Sequence, residues 1–134
     1  MKRILIIDDS PTDILLFKEA ILECGLDVIP TIVRSWAEVD ADGGCLDRVS
    51  LILLDLNMPG VDGLKVIRLI RGRDIYTPIV VFSTSSLSPD ILACYREGAN
   101  AYIIKPYEVD KLFYTVCSTF KWWLELNKLG GVHD

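Results

Sequence analysis

The chain has 134 residues, 51% hydrophobic and 25% charged, which fits one globular domain and excludes a disordered segment. Its net charge of -5 and pI near 4.8 disfavour a duplex-binding surface, which needs clustered lysine and arginine, so no direct DNA binding is expected. Met1-Lys2-Arg3 and the aliphatics after it start like a signal peptide, but Asp8 and Asp9 interrupt the run too early; with no stretch long enough to cross a bilayer, a soluble cytoplasmic protein is expected.

Arg3 to Ile7 reads as a first strand that ends in Asp8-Asp9. Ser10 is then a good N-cap and Pro11 suits the first helical position. Ile14, Leu15, Phe17, Ile21 and Leu22 form an apolar stripe that ends near Cys24-Gly25. Asp27 to Val33 reads as a second strand, and Pro30 within it argues for a sheet edge. Ser35-Trp36-Ala37-Glu38 fits a capping box for a second helix that fades by Gly43-Gly44, and the signal stays weak from Asp40 to Arg48.

Leu51 to Leu54 is an unbroken aliphatic run, as expected of a strand buried on both faces, and it stops at Asp55. The turn-rich loop Pro59 to Gly63 leads into a helix carrying Leu64, Val66, Ile67, Leu69 and Ile70. Pro78 to Phe82 is a fourth strand, closing on Ser83-Thr84-Ser85. Ser88-Pro89 opens a fourth helix with Ile91, Leu92 and Tyr95, stopped by Gly98. Ala101 to Ile104 is a fifth strand followed by Lys105-Pro106, and the last helix is expected from about Glu108 to Lys128. Five strands alternating with five helices predict a doubly wound parallel α/β sheet with all strand ends on one rim.

That rim gathers Asp8, Asp9, Asp55, Ser83 and Lys105. Three adjacent carboxylates repel one another, and a hard divalent cation such as Mg²⁺ removes the conflict while leaving positions for a phosphoryl oxygen. Lys105 and the Ser83 hydroxyl can hold further phosphoryl oxygens. A carboxylate so flanked can attack phosphorus and become an acyl phosphate, which makes Asp55 the candidate nucleophile and Asp8 and Asp9 the metal carriers, directly or through water. Cys24, Cys45, Cys94 and Cys117 form no Cys-x-x-Cys pair and read as reduced small hydrophobes. His133, the single histidine, falls in an expected frayed tail, which leaves no internal histidine base or phosphodonor.

The set Ile-Ile-Asp8-Asp9-Ser-Pro, Leu-Leu-Asp55-Leu-Asn-Met-Pro-Gly-Val-Asp-Gly63, Val-Phe-Ser83-Thr and Ala-Tyr102-Ile-Ile-Lys105-Pro106 resembles the receiver domains of two-component response regulators. The resemblance spans the chain and implies a flavodoxin-like (βα)5 fold with strand order 2-1-3-4-5. It implies a receiver over residues 1–128, a short tail over 129–134 and no output domain. It further implies that Asp55 accepts a phosphoryl group from a partner's phosphohistidine, with Mg²⁺ held by Asp8, Asp9, Asp55 and the Asn57 main-chain carbonyl. Lys105 and Ser83 would contact the phosphoryl group, Ser83 and Tyr102 would act as the switch pair, and Lys105-Pro106 would be a cis bond.

Thr84 departs from the small residue usual after the switch hydroxyl, and its bulk is expected to slow hydrolysis of the phosphorylated state. Asp62 reads more readily as a turn residue than as a metal ligand, and packing against the last helix is the alternative role for Tyr102. The chain's end also resembles single-domain regulators that serve phytochrome-type histidine kinases. With no effector module expected, the signal would leave by protein contact, to a downstream target or in a homodimer. The surfaces expected to carry it are the fourth helix, fifth strand and fifth helix, or the aromatic segment Phe120 to Leu124, of which at least one tryptophan should be exposed.

Two rivals have different chemistry. A haloacid-dehalogenase-like phosphatase also uses a strand-end aspartate, Mg²⁺ and a lysine, but Asn57 replaces the second acid that its leaving group needs. A binding module that has lost phosphorylation would not need the intact Asp8, Asp9, Asp55, Ser83 and Lys105. The expectation is therefore a signalling phosphoacceptor and not an enzyme acting on external substrates.

Overall fold

The computed structural model describes residues 1–41, 44–73 and 76–128; the expectations for Gly43, the tail 129–134 and His133 lie outside them. Five strands, β1 (Lys2–Ile7), β2 (Val28–Val33), β3 (Val49–Asp55), β4 (Ile79–Ser83) and β5 (Ala101–Ile104), alternate with five helices. The helices are α1 (Pro11–Glu23), α2 (Trp36–Ala41), α3 (Gly63–Arg71), α4 (Ser88–Glu97) and α5 (Val109–Lys121). All strand pairs are parallel and the order is β2-β1-β3-β4-β5. This is the flavodoxin-like arrangement expected from the sequence.

Strand character follows burial. All seven residues of β3 are buried, because it is the middle strand and is covered on both faces, which an unbroken aliphatic run satisfies and an alternating one would not. β2 lies at the edge, where Pro30, opposite Ile4, removes no hydrogen bond from an interior ladder. On one face α1 and α5 pack Phe17, Ala20, Ile21, Val116 and Phe120 against Ile4, Ile6, Leu51 and Leu53. On the other, Val39 of α2, Val66, Ile67 and Ile70 of α3, and Cys94 of α4 cover Leu5, Ile7, Ile52 and Leu54.

The caps explain where the helices start. Ser10 accepts the Asp13 N–H at 3.3 Å, with Pro11 next to it, and Asp62 accepts the N–H groups of Leu64 and Lys65 at 3.1 and 3.3 Å. Asp62 is thus a helix cap, in line with the turn reading. Ser35 Oγ accepts the Glu38 N–H at 3.3 Å, while the Glu38 carboxylate reaches past it to the Arg34 N–H. Ser88 is the first residue of α4 and not its cap; Leu87 takes that place.

Four expectations need correction. Cys24 and Cys117 are not reduced hydrophobes but form a disulfide, with Cα atoms 6.2 Å apart across 93 residues of sequence; the end of α1 and the middle of α5 pack on one sheet face, within bridging distance. Cys45 and Cys94 are buried and outside any disulfide, as expected. The α1 stripe is rotated: Leu16 is buried, whereas Leu15 and Leu22, one step off the Ile14-Phe17-Ile21 row, are exposed. The last helix ends as α-helix at Lys121 and continues as a π-helical turn, Trp122–Leu126, which the Asn127 N–H closes on the Trp122 carbonyl at 2.7 Å. The Lys2 ammonium caps the Leu124 carbonyl in that turn. Finally, no cis peptide bond occurs among the described residues, so Lys105-Pro106 is trans, the isomer an X–Pro bond favours unless packing opposes it.

Candidate functional site

The site is built from the carboxyl ends of β1, β3, β4 and β5. The Asp8 N–H donates to the Val33 carbonyl at 3.0 Å, the Leu56 N–H to Phe82 at 3.0 Å and the Lys105 N–H to Ser83 at 2.7 Å. These bonds carry the ladder one residue past the strands and hold the rim side chains at fixed heights. Asp8, Asp55, Ser83 and Lys105 are all buried there. Four polar groups buried in one place need mutual partners.

Backbone N–H groups meet Asp8 and Ser83, and Lys105 meets Asp55. Lys105 Nζ lies 2.8 Å from Asp55 Oδ1 and 2.9 Å from Asp13 Oδ2. Asp55 Oδ1 also accepts the Asn57 N–H at 2.9 Å. Burial alone would lower the Lys105 pKa, but the hydrogen bonds to Asp55 and Asp13, with their charges, outweigh it and raise the value above that of an ordinary lysine. The amine is therefore a firm cation at neutral pH.

Asp8 is in the opposite condition. Its Oδ1 accepts the Ser10 N–H at 2.8 Å, but its buried Oδ2 has no partner. Burial, with the neighbouring Asp55 charge adding to it and the Ser10 N–H opposing, pushes its pKa from 3.8 up to about 7. One carboxylate oxygen each from Asp8, Asp9 and Asp55 lie within 4.8 Å of one another. An all-oxygen donor set with one orphaned acceptor suits a hard divalent cation such as Mg²⁺, which would supply the missing partner.

The other expected residues surround this centre. Ser83 Oγ accepts the Ser85 N–H at 3.1 Å. Tyr102 is half-buried and packs against the α3–α4 side of the sheet rather than against α5, its hydroxyl donating to the Ser85 carbonyl at 2.9 Å. Asn57 and Thr84 are exposed at the mouth and bond reciprocally, Asn57 Nδ2 to Thr84 Oγ1 at 3.0 Å and the Thr84 N–H to Asn57 Oδ1 at 2.9 Å. The structure thus brings Asp8, Asp9, Asp55 and Lys105 together and sets Asn57, Ser83 and Tyr102 around them. Sequence reasoning missed Asp13; an acid in the first turn of the helix that follows Asp8-Asp9 was the available signal.

Comparison with known proteins agrees with this geometry. The family model described as the response regulator receiver domain matches residues 4–116. The chain is 32% identical over 111 residues to the transcriptional regulatory protein TcrA of Mycobacterium tuberculosis, covering 83% of this chain and 43% of TcrA. It spans less than half the length of TcrA and of TrcR from the same organism, to which it is also 32% identical. It is also 32% identical over 132 residues to the response regulator Rcp1 of Synechocystis, covering 92% of this chain and 90% of Rcp1.

Among solved structures, the phosphorylated cyanobacterial phytochrome response regulator RcpA superposes with a TM-score of 0.86 at 32% identity, over 97% of this chain and 99% of that one. The Mn²⁺-bound form of Rcp1 gives 0.85 at 32% identity, over 98% of this chain and 100% of that one. The acidic cluster, the strand order and the family match converge on one assignment: this chain belongs to the family of response regulator receiver domains.

Proposed function

We propose that the protein accepts a phosphoryl group on Asp55 from the phosphohistidine of a sensor histidine kinase or phosphotransfer protein, and passes the signal on by protein contact. The observation that carries this reading is Lys105 Nζ at 2.8 Å from Asp55 beside an acidic cluster with an unpartnered oxygen. In the transfer an Asp55 oxygen attacks phosphorus, the new O–P bond forms, and the P–N bond breaks with its electron pair going to the imidazole. Lys105 leaves the Asp55 carboxylate for a phosphoryl oxygen, and the Ser83 hydroxyl donates to another. Asp8, Asp9, Asp55 and the Asn57 main-chain carbonyl would hold Mg²⁺, which when bound neutralises carboxylate charge and polarises the phosphoryl group.

The surface supports both encounters. A groove of about 540 Å³ opens over Asp55 between α1 and the start of α5, lined by exposed Leu15, Tyr107 and Val109, a fit for an apolar helix of a kinase. On the far side of Ser83 and Tyr102, Leu87 at the cap of α4, Leu92 and Tyr95 on α4, and Ile104 on β5 are exposed, and Trp122 is exposed beyond α5. Phosphorylation would bias that α4-β5-α5 surface toward a target or a second copy, with Ser83 and Tyr102 as the moving parts. The receiver would occupy residues 1–128, act in the cytoplasm, and turn over nothing but its own phosphoryl group. No helix among the described residues is long and apolar enough to cross a membrane.

Incubation with acetyl phosphate and Mg²⁺ followed by intact-mass measurement tests the acceptor role. One phosphoryl adduct is expected on the wild type and none on Asp55→Asn. A folded wild-type protein that gains no adduct would refute it.

A further inference from the structure

Lys105 is shared. Its Nζ is as close to Asp13 Oδ2, at 2.9 Å, as to Asp55 Oδ1, at 2.8 Å. The Asp13 backbone is fixed by the Ser10 cap, and its side chain, 21% exposed, forms part of the wall of the groove that leads to Asp55. One cation therefore serves two carboxylates, one in the sheet and one on α1.

Phosphoryl transfer would change that balance. Lys105 must swing from Asp55 toward phosphoryl oxygens, and its bond to Asp13 pulls it back toward α1. Meanwhile Asp13 keeps a negative charge beside the path of the incoming group. Fixed charge at the mouth of a cleft discriminates between reagents by their own charge, more strongly than it would in open water.

We infer that Asp13 is a positioning residue that tethers Lys105 to α1 and sets the charge selectivity for phosphodonors, disfavouring the more anionic ones. This deepens the phosphoacceptor reading and rests on it. The transfer is unchanged in its balance: an Asp55 O–P bond forms, and the donor's P–O or P–N bond breaks with its electron pair leaving on the donor.

The test compares acetyl phosphate, dianionic at neutral pH, with phosphoramidate, which carries less charge, on wild type, Asp13→Asn and Asp13→Glu. Asp13→Asn is expected to raise the labelling rate with acetyl phosphate several-fold more than that with phosphoramidate, and added salt should shrink the difference. Asp13→Glu, which keeps the charge, should retain the wild-type donor ratio. Calorimetric titration with beryllofluoride, an anionic phosphoryl mimic, should show tighter binding to Asp13→Asn without any turnover. An unchanged donor ratio in Asp13→Asn, an equal shift in Asp13→Glu, or failure of Asp13→Asn to fold would each overturn the inference. If neither donor labels the wild type, the phosphoacceptor reading fails instead.

Discussion

A carboxylate with no exposed surface and one oxygen without a partner is a burden on the fold, and Asp8 is in that position. With its pKa raised from 3.8 to about 7, the folded protein holds a proton that the unfolded chain has released. The metal-free protein therefore loses stability as pH rises through that window, and below it the penalty vanishes. In chelator, melting curves from pH 4 to 8 should show Asp8→Asn gaining on the wild type as pH rises, with Mg²⁺ closing the gap. Parallel curves would contradict this. Thr84, tied to Asn57 at the mouth, should shield the phosphoryl group from water, so Thr84→Ala should dephosphorylate faster; equal rates would remove that role. Asp8, Asp55 and Lys105 were legible because each ends an aliphatic run. Asp13 was not, because its meeting with Lys105 depends on how α1 docks.

At the scale of elements, legibility tracked how strongly burial constrains sequence. The interior strands declared themselves by unbroken aliphatic runs, and Pro30 marked the edge. The faces of surface helices were less plain, since α1 carries apolar residues all round and only docking chooses between Leu15 and Leu16. The Cys24–Cys117 bridge was hidden for a similar reason: 93 residues of separation say nothing about proximity until α1 and α5 share a face. A native disulfide typically stabilises by about 2–4 kcal/mol. Reduction, or Cys117→Ser, should accordingly lower the melting temperature by roughly 10 °C. Superimposable melts with and without reductant would show that the bridge is not formed or carries no load.

Across the whole molecule, two apolar layers hold one sheet, and the sheet delivers its polar strand ends to a single rim. The same rim adjoins a groove beside α1 on one side and exposed apolar residues of α4 and β5 on the other. On the proposed function, the input and output surfaces would thus meet at Asp55. If that surface drives self-association, beryllofluoride with Mg²⁺ should enlarge the species seen by size exclusion, and Trp122→Ala or Tyr95→Ala should reduce the change; an unaltered size would direct the search to a different partner.

The most direct measurement is chemical. Borohydride reduces an acyl phosphate to the alcohol, so protein treated with acetyl phosphate and Mg²⁺, then with borohydride, should yield homoserine in place of Asp55 on peptide sequencing by mass spectrometry. An unmodified Asp55 in folded protein, or homoserine at another aspartate, would contradict the account.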